Sequence, residues 1–184
     1  FDTEDFASLG SMVTQAVAFT GRVDILVNNA GISQRSLAID TDFLVYERIV
    51  SVDLMAPIAL TQALLPHLLA QGSGQLIMIS SVAGKAGVPL RTAYCAAKHG
   101  LVGYSDALRS EIAEQGVKVL VVAPGSVRTN VSRNALNADG SVTRTPYAGN
   151  TIPQSQQDAV GRRIMTDVWK PNLSGDGSDR VNNY

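Results

Sequence analysis

Tyr94 lies four residues before Lys98, and Ser81 lies thirteen before Tyr94. On a helix, residues i and i+4 share one face, so the phenol and the ammonium become neighbours. A free tyrosine has a pKa of about 10 and is a poor base at neutral pH. A neighbouring ammonium favours the phenolate. A serine hydroxyl beside that phenol can hold a substrate oxygen against it. Such a set suits proton transfer to or from an alcohol or carbonyl oxygen. Y-x-x-x-K alone also fits a half-exposed tyrosine and a solvated lysine on an ordinary amphipathic helix, so its surroundings decide.

Three short runs rich in Val, Ile and Leu read as buried parallel strands: Val23–Val27, Gln75–Ser80 and Val117–Val122. Helical periodicity predicts helices over Phe6–Phe19, Val45–Leu69 (interrupted near Pro57) and Thr92–Gln115, with Gly116 as the stop. Strands alternating with helices imply βαβ units, and right-handed crossovers predict helices on both sheet faces. In such sheets ligands bind beyond the carboxyl ends of the strands. Here the strands run into Asn28-Asn29-Ala30-Gly31, into Ser80-Ser81 and into Ala123-Pro124-Gly125-Ser126. Each alone fits an ordinary turn. Three small, polar exits on one edge predict a binding site.

The 184 residues set one domain as the default, and 45% apolar with 17% charged residues suits a sizeable core. A net charge of −1 argues against a nucleic-acid or anionic-membrane partner. The single cysteine, Cys95, excludes an internal disulfide and fits an intracellular, reducing compartment. No apolar run approaches the roughly 18 residues that a membrane helix needs. Two isolated histidines, His67 and His99, give no metal-binding cluster. Asn134–Pro153 reads as a long loop, Ser155–Trp169 as a further helix, and Lys170–Tyr184 as a disordered tail.

Taken together, N-N-A-G at 28–31, Ser81, Y-C-A-A-K at 94–98 and P-G-S-V-R-T at 124–129 resemble the classical short-chain dehydrogenase/reductase family, over about residues 1–130. S-x-x-G-K-x-x-x-P-x-R-x-A-Y at 81–94 and N-A-L-N-A-D-G-S at 134–141 point to one branch within it. The resemblance implies an α/β, Rossmann-like doubly wound parallel sheet in a three-layer αβα arrangement. Its partial NAD(P)-binding domain would span 1–169, with a substrate loop at about 131–153 and a tail at 170–184.

The implied activity is interconversion of a secondary alcohol and a ketone with NADP or NAD, NADP being favoured. A lipid- or steroid-like carbonyl is one candidate substrate. Tyr94 would be the acid/base. Lys98 would bind the nicotinamide ribose and lower the Tyr94 pKa, and Ser81 would orient the substrate oxygen. Asn28, Ala30 and Gly31 would form the floor under the adenine-side ribose. Pro124, Gly125, Val127 and Thr129 would wall the nicotinamide, and Asp2 would meet the adenine amino group. The resemblance also implies a homo-oligomer through the two long helices.

Two departures stand out. No strand followed by a Gly-rich, phosphate-holding turn is found. The expectation is therefore a chain lacking the family's N-terminal strands and Gly-rich loop, on the order of 70 residues at about 30 per βαβ unit. An anchor to the endoplasmic reticulum or peroxisomal membrane would lie in that missing segment. The second departure is Asp53, where the family usually has Asn. An ionised Asp cannot donate a hydrogen bond. It is expected to neutralise Lys98 in part and raise the Tyr94 pKa, or else to be silent if the backbone alone holds the family's water there.

Overall fold

A computed structural model describes residues 2–127 and 129–142. The expected helix at 155–169, the tail at 170–184 and the far part of the 131–153 loop lie outside the described residues.

Helix α1 (Phe6–Thr20) ends where Gly21 turns left-handed at φ 78°. Strand β1 (Ile25–Asn28) follows, two residues later in its start than the apolar run suggests. Next come α2 (Phe43–Val50), a π-helical turn (Ser51–Met55) and α3 (Ala56–Gln71). These three join into one 29-residue helix, Phe43–Gln71. Strand β2 (Gly74–Ile79), a short 3-10 turn (Val82–Gly84), α4 (Thr92–Glu111) and β3 (Val117–Val122) complete the order.

The predicted interruption at Pro57 is a bulge rather than a break. Proline has no N–H to give the carbonyl four residues back, and its ring crowds that carbonyl. The helix answers by widening: the N–H of Ala56 donates to Ser51 C=O, five residues back. A π turn of this kind is the usual single-turn insertion inside an α-helix. It places Asp53 fully inside the protein. The joined helix also corrects the expectation of no membrane-length segment, since by length and composition it is apolar enough to span. Val45, Ile49, Leu64 and Leu68 on it are buried in the packed core.

The sheet is parallel, in the order β1-β2-β3, with Asn28 paired to Met78 and Met78 to Val121. All three strand exits therefore lie on one edge. Two successive right-handed crossovers moving the same way along a sheet put both helices on one face. Accordingly Leu64, Leu68, Leu101 and Leu108 of α3 and α4 pack with Leu76, Met78, Val117 and Val119, and Val13 of α1 joins them. Helices on the other face need a reversal of strand order, and these three strands contain none. On that face Ile25, Val27 and Leu120 are exposed among the described residues. The described part thus supplies the sheet and one helix layer.

A smaller cluster sits at the carboxyl edge. Val45 and Ile49 of α2, Ala93 and Ala97 of α4, and Leu136 are all buried together, with Tyr94 packed against them. Leu136 is held by a bridge to Gln34: its N–H donates to Ser33 C=O at 2.7 Å, and its C=O accepts from Arg35 N–H at 2.8 Å. The start of the expected substrate loop is thus bonded to the turn after β1.

Candidate active site

Parallel strands bring the three exits side by side, and bonds past the strand ends continue the ladder. Ser80 N–H donates to Val122 C=O at 2.8 Å, and Val82 N–H to Pro124 C=O at 3.0 Å. Ser81 then caps the 3-10 turn, its Oγ accepting from Ala83 N–H at 3.1 Å. With that lone pair used, its hydroxyl proton remains for a ligand or the phenol. The turn packs against α4 because Gly84 has no side chain. A Cβ there would stand 2.8 Å from the Lys98 carbonyl oxygen and 2.5 Å from Ser80 Oγ. Ser80 Oγ itself donates to that carbonyl at 3.2 Å. The strand end carrying Ser81 is in this way fixed to the middle of the Tyr94 helix.

Gln34 fixes that helix at its start. The first N–H groups of a helix lack partners within it. Here the buried Oε1 of Gln34 accepts from Ala93 N–H at 2.8 Å and from Tyr94 N–H at 3.3 Å. This cap comes from 59 residues away, so no local sequence pattern announces it.

Lys98 is buried, and its Nζ donates to Ile79 C=O at 3.1 Å. Asp53 Oδ2 lies 3.3 Å from the same nitrogen, with Asp53 wholly out of solvent. Asp53 Oδ1 accepts from Ile32 N–H at 2.8 Å. Oδ2 has the ammonium close by but makes no aligned hydrogen bond. Burial pushes the Asp53 carboxyl above its ordinary range, against the pull of Lys98 and the Ile32 N–H. The Lys98 ammonium stands 5.7 Å from the centre of the Tyr94 ring. Burial likewise raises the Tyr94 phenol. Ser81 opposes that rise, Asp53 adds to it, and Arg91 opposes it.

The structure thus brings together four of the expected residues, Asp53, Ser81, Tyr94 and Lys98. Gly31 joins them: a Cβ on it would stand 3.2 Å from Asp53 Oδ2 and 3.4 Å from Lys98 Nζ. Asn28 is turned inward, its Nδ2 donating to Thr61 Oγ1 at 3.0 Å and facing Met78 Sδ at 3.1 Å. It braces β1 against α3, while Asn29 and Ala30 present open backbone. A cleft of about 70 Å³ lies there, between Thr3, Val27, Asn29, Ala30 and Pro57. Asp2 is exposed, with its Oδ1 accepting from Glu4 N–H at 2.9 Å. Pro124 is half-buried, and Gly125, Val127 and Thr129 are exposed, Thr129 Oγ1 accepting locally from Val131 N–H at 3.4 Å. Small residues along this edge fit a dinucleotide lying close to backbone.

Sequence reasoning missed Gln34, Ser33 and Arg91 as positioning residues. Arg91 stands 5.9 Å from the Tyr94 ring centre and donates from Nη1 to Ser33 Oγ at 2.7 Å. Its place in P-x-R-x-A-Y was the available signal. Among the described residues, no three His, Cys, Asp or Glu side chains gather to hold a metal ion.

A parallel sheet with a Ser–Tyr–Lys set at its carboxyl edge is the architecture of short-chain dehydrogenases. The short-chain dehydrogenase family profile matches residues 1–140, and the chain belongs to that family. It is 42% identical over 170 residues to Dehydrogenase/reductase SDR family member 7B of Xenopus tropicalis, covering 89% of this chain and 55% of that protein. With the same-named protein of Mus musculus it shares 37% over 178 residues, covering 91% and 55%. Among solved structures, a short-chain dehydrogenase from Streptomyces avermitilis matches with TM-score 0.68 and 37% identity, over 71% of this chain and 49% of that one. A metagenomic short-chain oxidoreductase in complex with NADP matches with TM-score 0.65 and 36% identity, over 70% and 58%. The chain spans about half the length of the curated relatives it matches.

Proposed function

We propose that this chain carries the proton-transfer site of an NAD(P)-dependent oxidoreductase that interconverts a secondary alcohol and a ketone. The observation that carries the reading is the Tyr94 phenol set between Ser81 and the buried Lys98 ammonium. Asn29, Ala30 and Gly31 with Pro124, Gly125, Val127 and Thr129 would hold the dinucleotide along the strand exits, and Asp2 would meet its adenine end. The nicotinamide supplies or accepts the hydride when bound. The protein's part is to hold and move one proton. In reduction, Ser81 Oγ donates to the carbonyl oxygen and Tyr94 gives that oxygen its proton as the carbon takes the hydride. In oxidation, Tyr94 takes the hydroxyl proton back. Lys98, 5.7 Å from the ring centre, would help to hold the phenolate left behind and would be the residue to bind the ribose hydroxyls. Asp53 takes part of that ammonium's charge, which makes Tyr94 a weaker acid than the family's Asn would.

NADP is the favoured cofactor, since an NADP-bound relative shares this fold at 36% identity. Homo-oligomerisation through Phe43–Gln71 and α4, and a lipid- or steroid-like carbonyl as substrate, belong to the same proposal. A second reading is a non-catalytic remnant that binds family subunits. What favours it is the β1 edge and one sheet face, both open among the described residues. Titration of the chain with NADPH and NADH, followed by melting temperature, separates the two, because a ligand of the native state raises it. A rise, with nicotinamide oxidation in the presence of a ketone panel, supports the oxidoreductase. Neither effect favours the remnant.

A further inference from the structure

Lys98, the cation the family resemblance assigns to the tyrosine, is already committed. Its ammonium has a buried carboxylate at 3.3 Å and donates to the Ile79 carbonyl. Arg91 is placed differently. Its guanidinium also lies over the Tyr94 ring, at 5.9 Å from the centre. Its hydrogen-bond partner, Ser33 Oγ at 2.7 Å, is neutral. Among the described residues no carboxylate pairs with Arg91, so no counter-charge offsets its effect on the nearby Tyr94. A guanidinium keeps its positive charge at every pH the protein meets.

The backbone shows that this placement is enforced. Leu90, immediately before Arg91, sits at φ 65°, a left-handed conformation that is strained for a branched-chain residue. Such strain persists only where the surroundings over-determine it. Here Leu90 C=O accepts from Ser36 N–H at 3.2 Å, while one residue on Arg91 reaches Ser33. Two bonds to the turn after β1 therefore hold the chain in a costly shape that delivers a guanidinium to Tyr94.

We propose that Arg91 is a positioning residue that supplies Tyr94 with the positive field that Asp53 takes from Lys98. The proposal rests on Tyr94 being the proton donor, as argued above. The groups that act on the phenol are Asp53 from the π turn, Ser81 and Arg91 from the β2–α4 connection, and Cys95 and Lys98 from α4 itself. Tyr46 of α2 borders the same apolar cluster, with its hydroxyl bonded to Thr92 at 2.8 Å. Asp53 raises the phenol's proton affinity and Arg91 lowers it, so the two act in opposite senses.

The test is a pH titration of the chain labelled with 13C at the tyrosine ring, read by NMR. Tyr94→Phe identifies the Tyr94 signal among the five tyrosines. No substrate or cofactor is needed, so the outcome is independent of whether the oxidoreductase reading holds. Arg91→Met is expected to move the Tyr94 midpoint up by about one pH unit, the low end for a charge at this distance on a half-exposed group. Arg91→Lys, which keeps the charge, is expected to stay near the parent. Arg91→Met combined with Asp53→Asn is expected to return towards the parent value. An unmoved midpoint in Arg91→Met would overturn the proposal. So would a shift in Arg91→Lys as large as in Arg91→Met, which would mean that packing and not charge is what Arg91 provides. Should Arg91→Met not fold, Arg91→Lys against Ser33→Ala decides: only the loss of the tether in the second should raise the midpoint.

Discussion

Asp53 and Lys98 form an ion pair at 3.3 Å with both side chains shielded from solvent. The pair exists because a π turn before Pro57 swings Asp53 inward and because Gly31 leaves room above it. A buried pair of this kind adds little net stability but is costly to break, since one unpaired charge is left behind.

Asp53→Asn keeps the shape and removes the negative charge. The Tyr94 phenol, which Asp53 helps to hold above its usual range, should then ionise at lower pH. In the proposed reaction alcohol oxidation would need the phenolate, so its rise with pH should move down by about half to one unit. A pH profile of kcat/KM for oxidation checks this, and an unchanged profile would mean that the substitution is silent.

Lys98→Met should destabilise the fold by about 3–5 kcal/mol near neutrality, because it strands the Asp53 carboxylate. The folded-state pKa of Asp53 is already raised, and losing Lys98 raises it further. A carboxyl with a folded pKa above its unfolded one binds more protons folded than unfolded, so stability falls as pH rises through that window. The deficit should therefore be small near pH 4 and grow above it. Adding Asp53→Asn should recover most of the loss, and denaturant melts at several pH values read both effects.

Gly84→Ala should cost more than Gly31→Ala. At Gly84 the added methyl meets backbone of α4 at 2.8 Å, which cannot step aside. At Gly31 it meets the buried Asp53–Lys98 pair at 3.2 and 3.4 Å, an approach that calls for only a few tenths of an ångström of give. About 1–3 kcal/mol is expected for the first, as for other overpacked sites, and less for the second. Melting curves of the two variants give the order.

Gln34→Ala removes the remote cap of α4. The Ala93 and Tyr94 amides lose their shared acceptor, at a cost of about 1–2 kcal/mol. Their hydrogen exchange should quicken selectively, while amides in β2 stay protected.

Much of this was readable in the residues. Apolar runs gave three strands to within two residues, Tyr94 and Lys98 lie one helical turn apart on α4, and Ser81 stands at the β2 exit. The π turn was not readable, because Pro57 signals a disturbance without telling whether the helix breaks or widens. Helices on both faces were expected from alternation and from the family resemblance, and the described residues supply one of those layers. The order β1-β2-β3 has no reversal to send a crossover to the second face. Gln34 and Arg91 were missed as positioning residues because their partners, Tyr94 N–H and Ser33 Oγ, lie 60 and 58 residues away in the chain. Capping rules read neighbours, and these caps come through the fold.

If Tyr94 moves the proton, Tyr94→Phe should abolish most of the turnover. The substitution removes one hydroxyl and leaves the ring beside Arg91 and Lys98. With a ketone that the parent protein reduces, turnover is expected to fall by about 10²–10⁴-fold, with nicotinamide nucleotide affinity nearly unchanged. Turnover within a few-fold of the parent would contradict it and move the search for the proton donor away from Tyr94.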